Sequence, residues 1–262
     1  MGGIATRFEA LRHTGRKAFI PFLTAGFPDA GRFRALLAAT ADADFVEIGL
    51  PFSDPVADGP SICQASEVAL AQGMHPDALF DLLQEETTHP PAILMTYLNP
   101  VLAYGTERFF GRAARCGIAA ILLTDVPADE GEEWRAAARA AGLDTVLLVA
   151  PTTAPERLGR IAGAATGFVY CVAVMGTTGA RAAVHDVARE TVARVRAQSA
   201  APVVVGFGIS TPEQVREVCG FADGVVVGSA LVDLIQAYQH DPQLVPLFRA
   251  QVRALARAAH GD

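Results

Sequence analysis

Apolar runs rich in β-branched residues recur along the chain, separated by Ala/Arg/Glu-rich stretches with helical spacing. The pattern predicts strands over Ala18 to Thr24, Phe45 to Gly49, Ala92 to Leu98, Ala119 to Thr124, Thr145 to Val149, Gly167 to Val172, Val203 to Phe207 and Gly224 to Val227. Strands alternating with helices in this number and length predict an α/β fold, a parallel (β/α)8 TIM barrel. An open doubly wound sheet is the competing arrangement, but no G-x-G-x-x-G follows the first strand and the strand count favours closure. An extra N-terminal helix, about Ile4 to Arg12, precedes the first strand and is placed to cover the bottom of the barrel. Helix punctuation supports these boundaries: Thr211-Pro212-Glu213-Gln214 offers an N-cap, a first-turn proline and a capping-box glutamine, and Ala154-Pro155 puts proline at another helix start.

Composition narrows the function classes. At 262 residues and 51% hydrophobic, with no linker-like stretch, the chain is expected to form one domain, residues 1–262. A net charge of −7 argues against a nucleic-acid or anionic-membrane surface, leaving small molecules and proteins as partners. Cys63, Cys116, Cys171 and Cys219 are scattered, with no C-x-x-C pair, which fits a reducing cytoplasm. The N-terminus lacks a secretory apolar stretch, and no apolar run reaches membrane-spanning length.

The segment Glu47 to Ile62, E-I-G-L-P-F-S-D-P-V-A-D-G-P-S-I, is the richest in candidate chemistry. Period-two alternation puts Phe45, Glu47 and Gly49 on one side of a buried strand, so Glu47 shares a face with apolar neighbours. Pro51, Pro55 and Pro60 restrict the loop beyond it, which carries Asp54 and Asp58. A glutamate at this position moves protons, sits at the surface or forms half of an ion pair, and its apolar face-mates favour the first. Catalytic groups of a barrel sit at the carboxyl ends of the strands, so the loops after each strand, including the one above Glu47, are where to look.

Gly206-Phe207-Gly208-Ile209-Ser210 and Gly228-Ser229 follow the last two strands. Such glycines either make tight turns or present backbone N–H groups to an anion, and their pairing at strands seven and eight favours a phosphate. Gly176 to about Asp186 is long for a connection in this fold and reads as a lid or a surface loop, with Thr178 and Gly179 facing the site if it is a lid. Lys17, the only lysine, precedes the first strand, so no barrel lysine is available for a Schiff base. The six histidines are dispersed and none stands at a strand end beside another ligand type, so no metal is expected. Carboxylate acid–base chemistry on a phosphorylated substrate remains.

The string Glu47 to Pro60 closely resembles the signature of the tryptophan synthase alpha chain family. Phe19-Ile-Pro-Phe-Leu-Thr-Ala-Gly-Phe-Pro28, Met95-Thr-Tyr-Leu-Asn-Pro100, Thr124-Asp-Val-Pro127 and Gly206-Phe-Gly-Ile-Ser210 extend the likeness over nearly the whole chain. The resemblance implies a lyase that splits indole-3-glycerol phosphate into indole and glyceraldehyde 3-phosphate by a retro-aldol step. By the same resemblance Glu47 is the general acid/base and Asp58 holds the indole N–H, with burial expected to raise the Glu47 pKa. Phe22, Ile62, Leu122 and Tyr170 correspond to the indole pocket. Gly179, Gly208, Gly228 and Ser229 correspond to the phosphate cradle, and Thr178 to the lid threonine that meets Asp58. Asp54 falls to the hinge and partner-facing side of the loop. The implied partner is a beta chain in an alpha2-beta2 assembly, with pyridoxal phosphate in that partner and no cofactor in this chain.

The lid departs from the family's Ser-x-x-Gly-Val-Thr-Gly, reading Ala173-Val-Met-Gly-Thr-Thr-Gly179. That motivates an alternative, a standalone lyase releasing free indole. A regulatory partner without catalysis is disfavoured by the retained Glu47 and Asp58. A sugar-phosphate isomerase would explain the barrel and cradle but not the complete loop motif.

Overall fold

A computed structural model describes residues 3–172, 181–206 and 208–262. Its strands are β1 (Ala18–Thr24), β2 (Val46–Gly49), β3 (Ala92–Thr96), β4 (Ile118–Leu123), β5 (Asp144–Thr145), β6 (Leu147–Val149), β7 (Val169–Cys171), β8 (Val203–Val205) and β9 (Gly224–Val227). They form one sheet in the order β5-β4-β3-β2-β1-β9-β8-β7-β6, and every pairing is parallel.

The two ends of that order, β5 and β6, are consecutive in the chain and meet at Val146. The Val146 N–H donates to the Ile121 carbonyl at 2.9 Å, on the β4 side, and Leu147 donates to Phe168 at 3.4 Å, on the β7 side. The sheet therefore closes into a barrel through this segment. The single strand expected over Thr145 to Val149 is two short ones: residues 144–145 pair only with β4 and residues 147–149 only with β7, so no stretch carries both ladders.

Other expected strands are trimmed at their ends. The third stops at Thr96 because Tyr97 is already the N-cap of the helix Leu98–Tyr104, whose first N–H donates to an Asp125 carboxylate oxygen at 2.9 Å. Phe207, expected to end the strand from Val203, lies outside the described residues. The capping box forms as the sequence implies: Thr211 accepts from Gln214 while the Gln214 side chain bonds back to the N-cap backbone, and Pro155 opens the helix Pro155–Ala164.

Parallel strands buried on both faces need continuous apolar sequence, and β1, β2, β8 and β9 are buried at every position. The amino ends of the strands are stoppered by the helix Ile4–His13, which buries Ile4, Phe8 and Leu11. The Phe8 ring stacks on Phe45 with centroids 5.3 Å apart and meets Phe168 edge-on at 5.8 Å. The Ile4 N–H donates to Asp144 at 3.0 Å, satisfying one of the helix's unpaired N-terminal groups. Nearby, buried Asp44 accepts from the Phe19 N–H at 2.9 Å and bonds the His260 Nε2 at 2.9 Å, tying the last helix, Leu244–His260, to the same end. With the bottom sealed, the open end of the barrel is the carboxyl end. No helix among the described residues is long and apolar enough to cross a membrane.

Phe8→Ala removes a fully enclosed ring from this stopper and is expected to cost about 3–5 kcal/mol of stability. Urea denaturation at neutral pH checks it. A loss under about 1 kcal/mol would show that the helix rests on the barrel without sealing it.

Candidate active site

At the carboxyl ends of the strands lies a cavity of about 410 Å³. Strand parity explains its walls. In parallel register Phe22 lies beside Glu47, Met95 beside Leu122, and Leu148 beside Tyr170, and all six side chains line the cavity. Asp58, Gly59, Pro60, Ser61 and Ile62 close one side, and Gly206, Gly208, Ile209, Gly228 and Ser229 the other. The structure thus brings together every expected site residue except Thr178 and Gly179, which lie outside the described residues with the rest of 173–180. Ile62 belongs to the first turn of the helix Pro60–Ala71, with Pro60 at its start.

Glu47 is 1% exposed, and its Oε2 has no hydrogen-bond partner among the described residues. Burial pushes its pKa from 4.5 to about 8, and the Asp58 charge adds to the effect. An ion pair is ruled out as its role among the described residues, since no lysine, arginine or histidine lines the cavity. Asp58 is also raised by burial, but a Tyr97 hydrogen bond opposes the rise. The two carboxyls therefore differ in environment: Glu47 has an oxygen with no partner among the described residues, while Asp58 has a hydrogen bond from Tyr97. Burial drives the Tyr170 phenol far above its usual range, with the charges of Glu47 and Asp58 pushing the same way, so it stays a neutral wall of the pocket.

Tyr97 is the residue that sequence reasoning missed. It is 2% exposed, its hydroxyl accepts the Ala57 N–H at 3.1 Å, and its ring packs on Phe52 at 5.1 Å. One side chain from the end of β3 thereby pins both limbs of the proline-rich loop and holds Asp58. It stands inside the Met95–Pro100 motif, where nothing in the spacing announces a role. Met95, Leu148 and Val226 also line the cavity, and alternation with Phe22, Leu122 and Tyr170 was the signal for them. Asp54, by contrast, is exposed, accepts from its neighbour Ser53 at 2.5 Å, and does not line the cavity.

On the opposite side, Gly208 has φ +66°, a left-handed conformation that glycine adopts without strain. Gln214 Oε1 accepts from the Ser210 and Thr211 N–H groups at 2.8 and 3.2 Å, fixing the turn. Gly228 caps the helix Ser229–Ala237, its carbonyl taking the N–H groups of Leu231 and Val232. The N–H groups of Ser229 and Ala230 are left pointing from a helix N-terminus, which suits an anion. Gly206 is needed for a different reason: a Cβ there would stand 2.2 Å from the Tyr170 hydroxyl. Among the described residues no group of three or more His, Cys, Asp or Glu is placed to hold a metal ion.

A sealed barrel whose open end pairs a buried, proton-holding carboxyl with a second carboxyl is the class of a (β/α)8 acid–base enzyme. The chain belongs to the tryptophan synthase alpha chain family, whose model matches residues 8–260. It is 46% identical over 243 residues to the tryptophan synthase alpha chain of Geobacter sp. (strain M21), covering 91% of both chains. To that of Gloeobacter violaceus it is 49% identical over 239 residues, covering 89% of this chain and 87% of the relative. Among solved structures it resembles tryptophan synthase subunit alpha from Legionella pneumophila, with TM-score 0.90, 34% identity and coverage of 99% and 98%. The tryptophan synthase structure from Mycobacterium tuberculosis gives TM-score 0.89 and 36% identity, with 98% of each chain covered.

The raised Glu47 pKa makes a stability prediction. The folded chain keeps the proton up to about pH 8, whereas the unfolded chain releases it above 4.5. Burial of Glu47 therefore costs nothing below the lower value and progressively more as pH rises to the upper one. Glu47→Gln removes that cost, so its stability relative to the unmutated chain should grow between about pH 4.5 and 8, by on the order of 3–5 kcal/mol. Urea unfolding of both proteins across that range tests this, and parallel curves would contradict it.

Proposed function

We propose that this chain, working as one catalytic domain, cleaves indole-3-glycerol phosphate to indole and glyceraldehyde 3-phosphate. The observation that carries this reading is Glu47, a buried carboxyl that lines an apolar cavity and has an oxygen without a hydrogen-bond partner among the described residues. Its raised pKa gives it a proton to donate at neutral pH. Glu47 delivers that proton to C3 of the indole ring, leaving positive charge on the ring nitrogen, and the resulting carboxylate then removes the proton of the adjacent glycerol hydroxyl. The C–C bond breaks, its electron pair returns to C3, and the aldehyde leaves. Glu47 ends the cycle protonated as it began, so one carboxyl serves both transfers. Asp58 accepts the ring N–H and stabilises the charge that develops there. Phe22, Ile62, Leu122 and Tyr170 enclose the ring, Gly208, Gly228 and Ser229 receive the phosphate, and Gly179 and Thr178 complete the cradle and lid. The ring is the electron sink, which is why neither a lysine nor a metal is called for.

The chain acts in the cytoplasm as the alpha subunit of tryptophan synthase, in an alpha2-beta2 assembly that passes indole to a pyridoxal-phosphate-dependent beta chain; this chain itself uses no cofactor. Two exposed apolar side chains on the rim of the open end support a protein partner there: Val56, 83% exposed on the proline-rich loop, and Leu102, 57% exposed on the helix after β3. Tyr97 joins these two segments, so a partner seated on them is in direct mechanical contact with the Asp58 loop.

Turnover of indole-3-glycerol phosphate by the purified chain, alone and with a beta chain, tests the proposal. Glu47→Gln should lower kcat by at least about a hundredfold while inorganic phosphate still competes with the substrate. Addition of a beta chain should raise kcat. Unchanged turnover in the variant removes Glu47 from the mechanism, and full partner-free activity favours a standalone lyase.

A further inference from the structure

The phosphate end of the cavity contains a group that the proposed reaction does not use. Asp233 lines the cavity from the helix Ser229–Ala237, four residues after Ser229 and so on the same face of that helix. It is exposed, and it has no ion pair among the described residues. With Glu47 and Asp58 it makes three carboxyls in a cavity whose described lining includes no cationic side chain. An acid near a helix N-terminus can be there to stabilise the helix, but that effect fades within the first turn, and Asp233 is the fifth residue. Among the described residues the side-chain hydrogen bond to the neighbouring helix Pro60–Ala71 is made by Gln236, to Gln64 at 2.9 Å, and not by Asp233.

We propose that Asp233 weakens the grip of the site on the phosphoryl group and so keeps phosphorylated ligands, the product included, from binding too tightly. This rests on the reading of Gly208, Gly228 and Ser229 as the phosphate cradle. Backbone N–H groups and a helix N-terminus attract any anion of suitable size. A fixed negative charge one turn below them opposes a phosphate dianion more than a monoanion or a neutral group, in proportion to charge. The site then holds the intact substrate through its indole ring as well as its phosphate, and holds weakly any ligand that has the phosphate alone. Glyceraldehyde 3-phosphate, the product left once the ring has been cut away, is such a ligand. Asp233 thus lowers the affinity for every phosphorylated ligand by a common factor: the substrate, held also by its ring, stays bound, while the product, held by its phosphate alone, leaves sooner.

Because Asp233 is exposed, its field is screened by salt, and this separates charge from packing. Asp233→Asn should lower the inhibition constant of inorganic phosphate and the KM for indole-3-glycerol phosphate, each by roughly fourfold at low ionic strength, as expected for one charge acting on a dianion about a nanometre away. The difference should shrink towards nothing at about 0.5 M salt, beyond the reach of such a field. The dissociation constant of indole alone should not move. A gain of affinity is not a result that damage to the fold produces. Equal phosphate inhibition by the two proteins at low salt overturns the proposal, as does a difference that persists undiminished at high salt. If inorganic phosphate fails to compete with substrate even in the unmutated chain, the cradle itself is misassigned, a separate outcome that removes the proposal with it.

Discussion

The exclusion of water and counter-charge from Glu47 is the constraint on which the rest of this molecule depends. A carboxylate in an apolar wall without a donor is costly, and the cost is relieved by keeping the proton. The barrel enforces this. Parallel register sets Phe22 beside Glu47, and no basic side chain lines the cavity among the described residues. The N-terminal helix plugs the opposite end with Phe8. Any donor that reached Oε2 would lower the pKa and leave a carboxylate that no longer starts the cycle with a proton.

The second carboxyl needs the opposite treatment, and the loop supplies it. Asp58 is partly buried and burial raises its pKa, but a hydrogen bond from Tyr97 opposes part of the rise. The same hydroxyl accepts the Ala57 N–H, and its ring lies on Phe52. The prolines stiffen the loop and Tyr97 anchors it, so the two acids face one cavity with unequal affinities for a proton. That inequality lets one carry the proton and the other meet the charge.

The alternation of apolar runs made the barrel legible, because strands buried on both faces have no polar residues to blur their limits. It did not reveal that the fifth strand is two, since the break at Val146 follows from how the segment divides its hydrogen bonds between neighbours. Glu47 was legible because an acid in an apolar strand contradicts its surroundings. Asp58 and most of the pocket came from the resemblance, and the structure gathers Phe22, Ile62, Leu122 and Tyr170 around one cavity. Tyr97 and Asp233 were not legible: one acts through a hydroxyl reaching forty residues back to Ala57, and the other is the single acid of an amphipathic helix, with no motif around it. The altered lid, Ala173 to Gly179, lies outside the described residues.

The protonation state of Glu47 in the resting chain tests the central claim most directly. Infrared difference spectroscopy, comparing the unmutated chain with Glu47→Gln, reads it without substrate. A protonated carboxyl stretch should be present at pH 7, be lost in the variant, and titrate with a midpoint near 8. A carboxylate already ionised at pH 6 would contradict the account, because burial would then not be holding the proton on which the proposed chemistry depends.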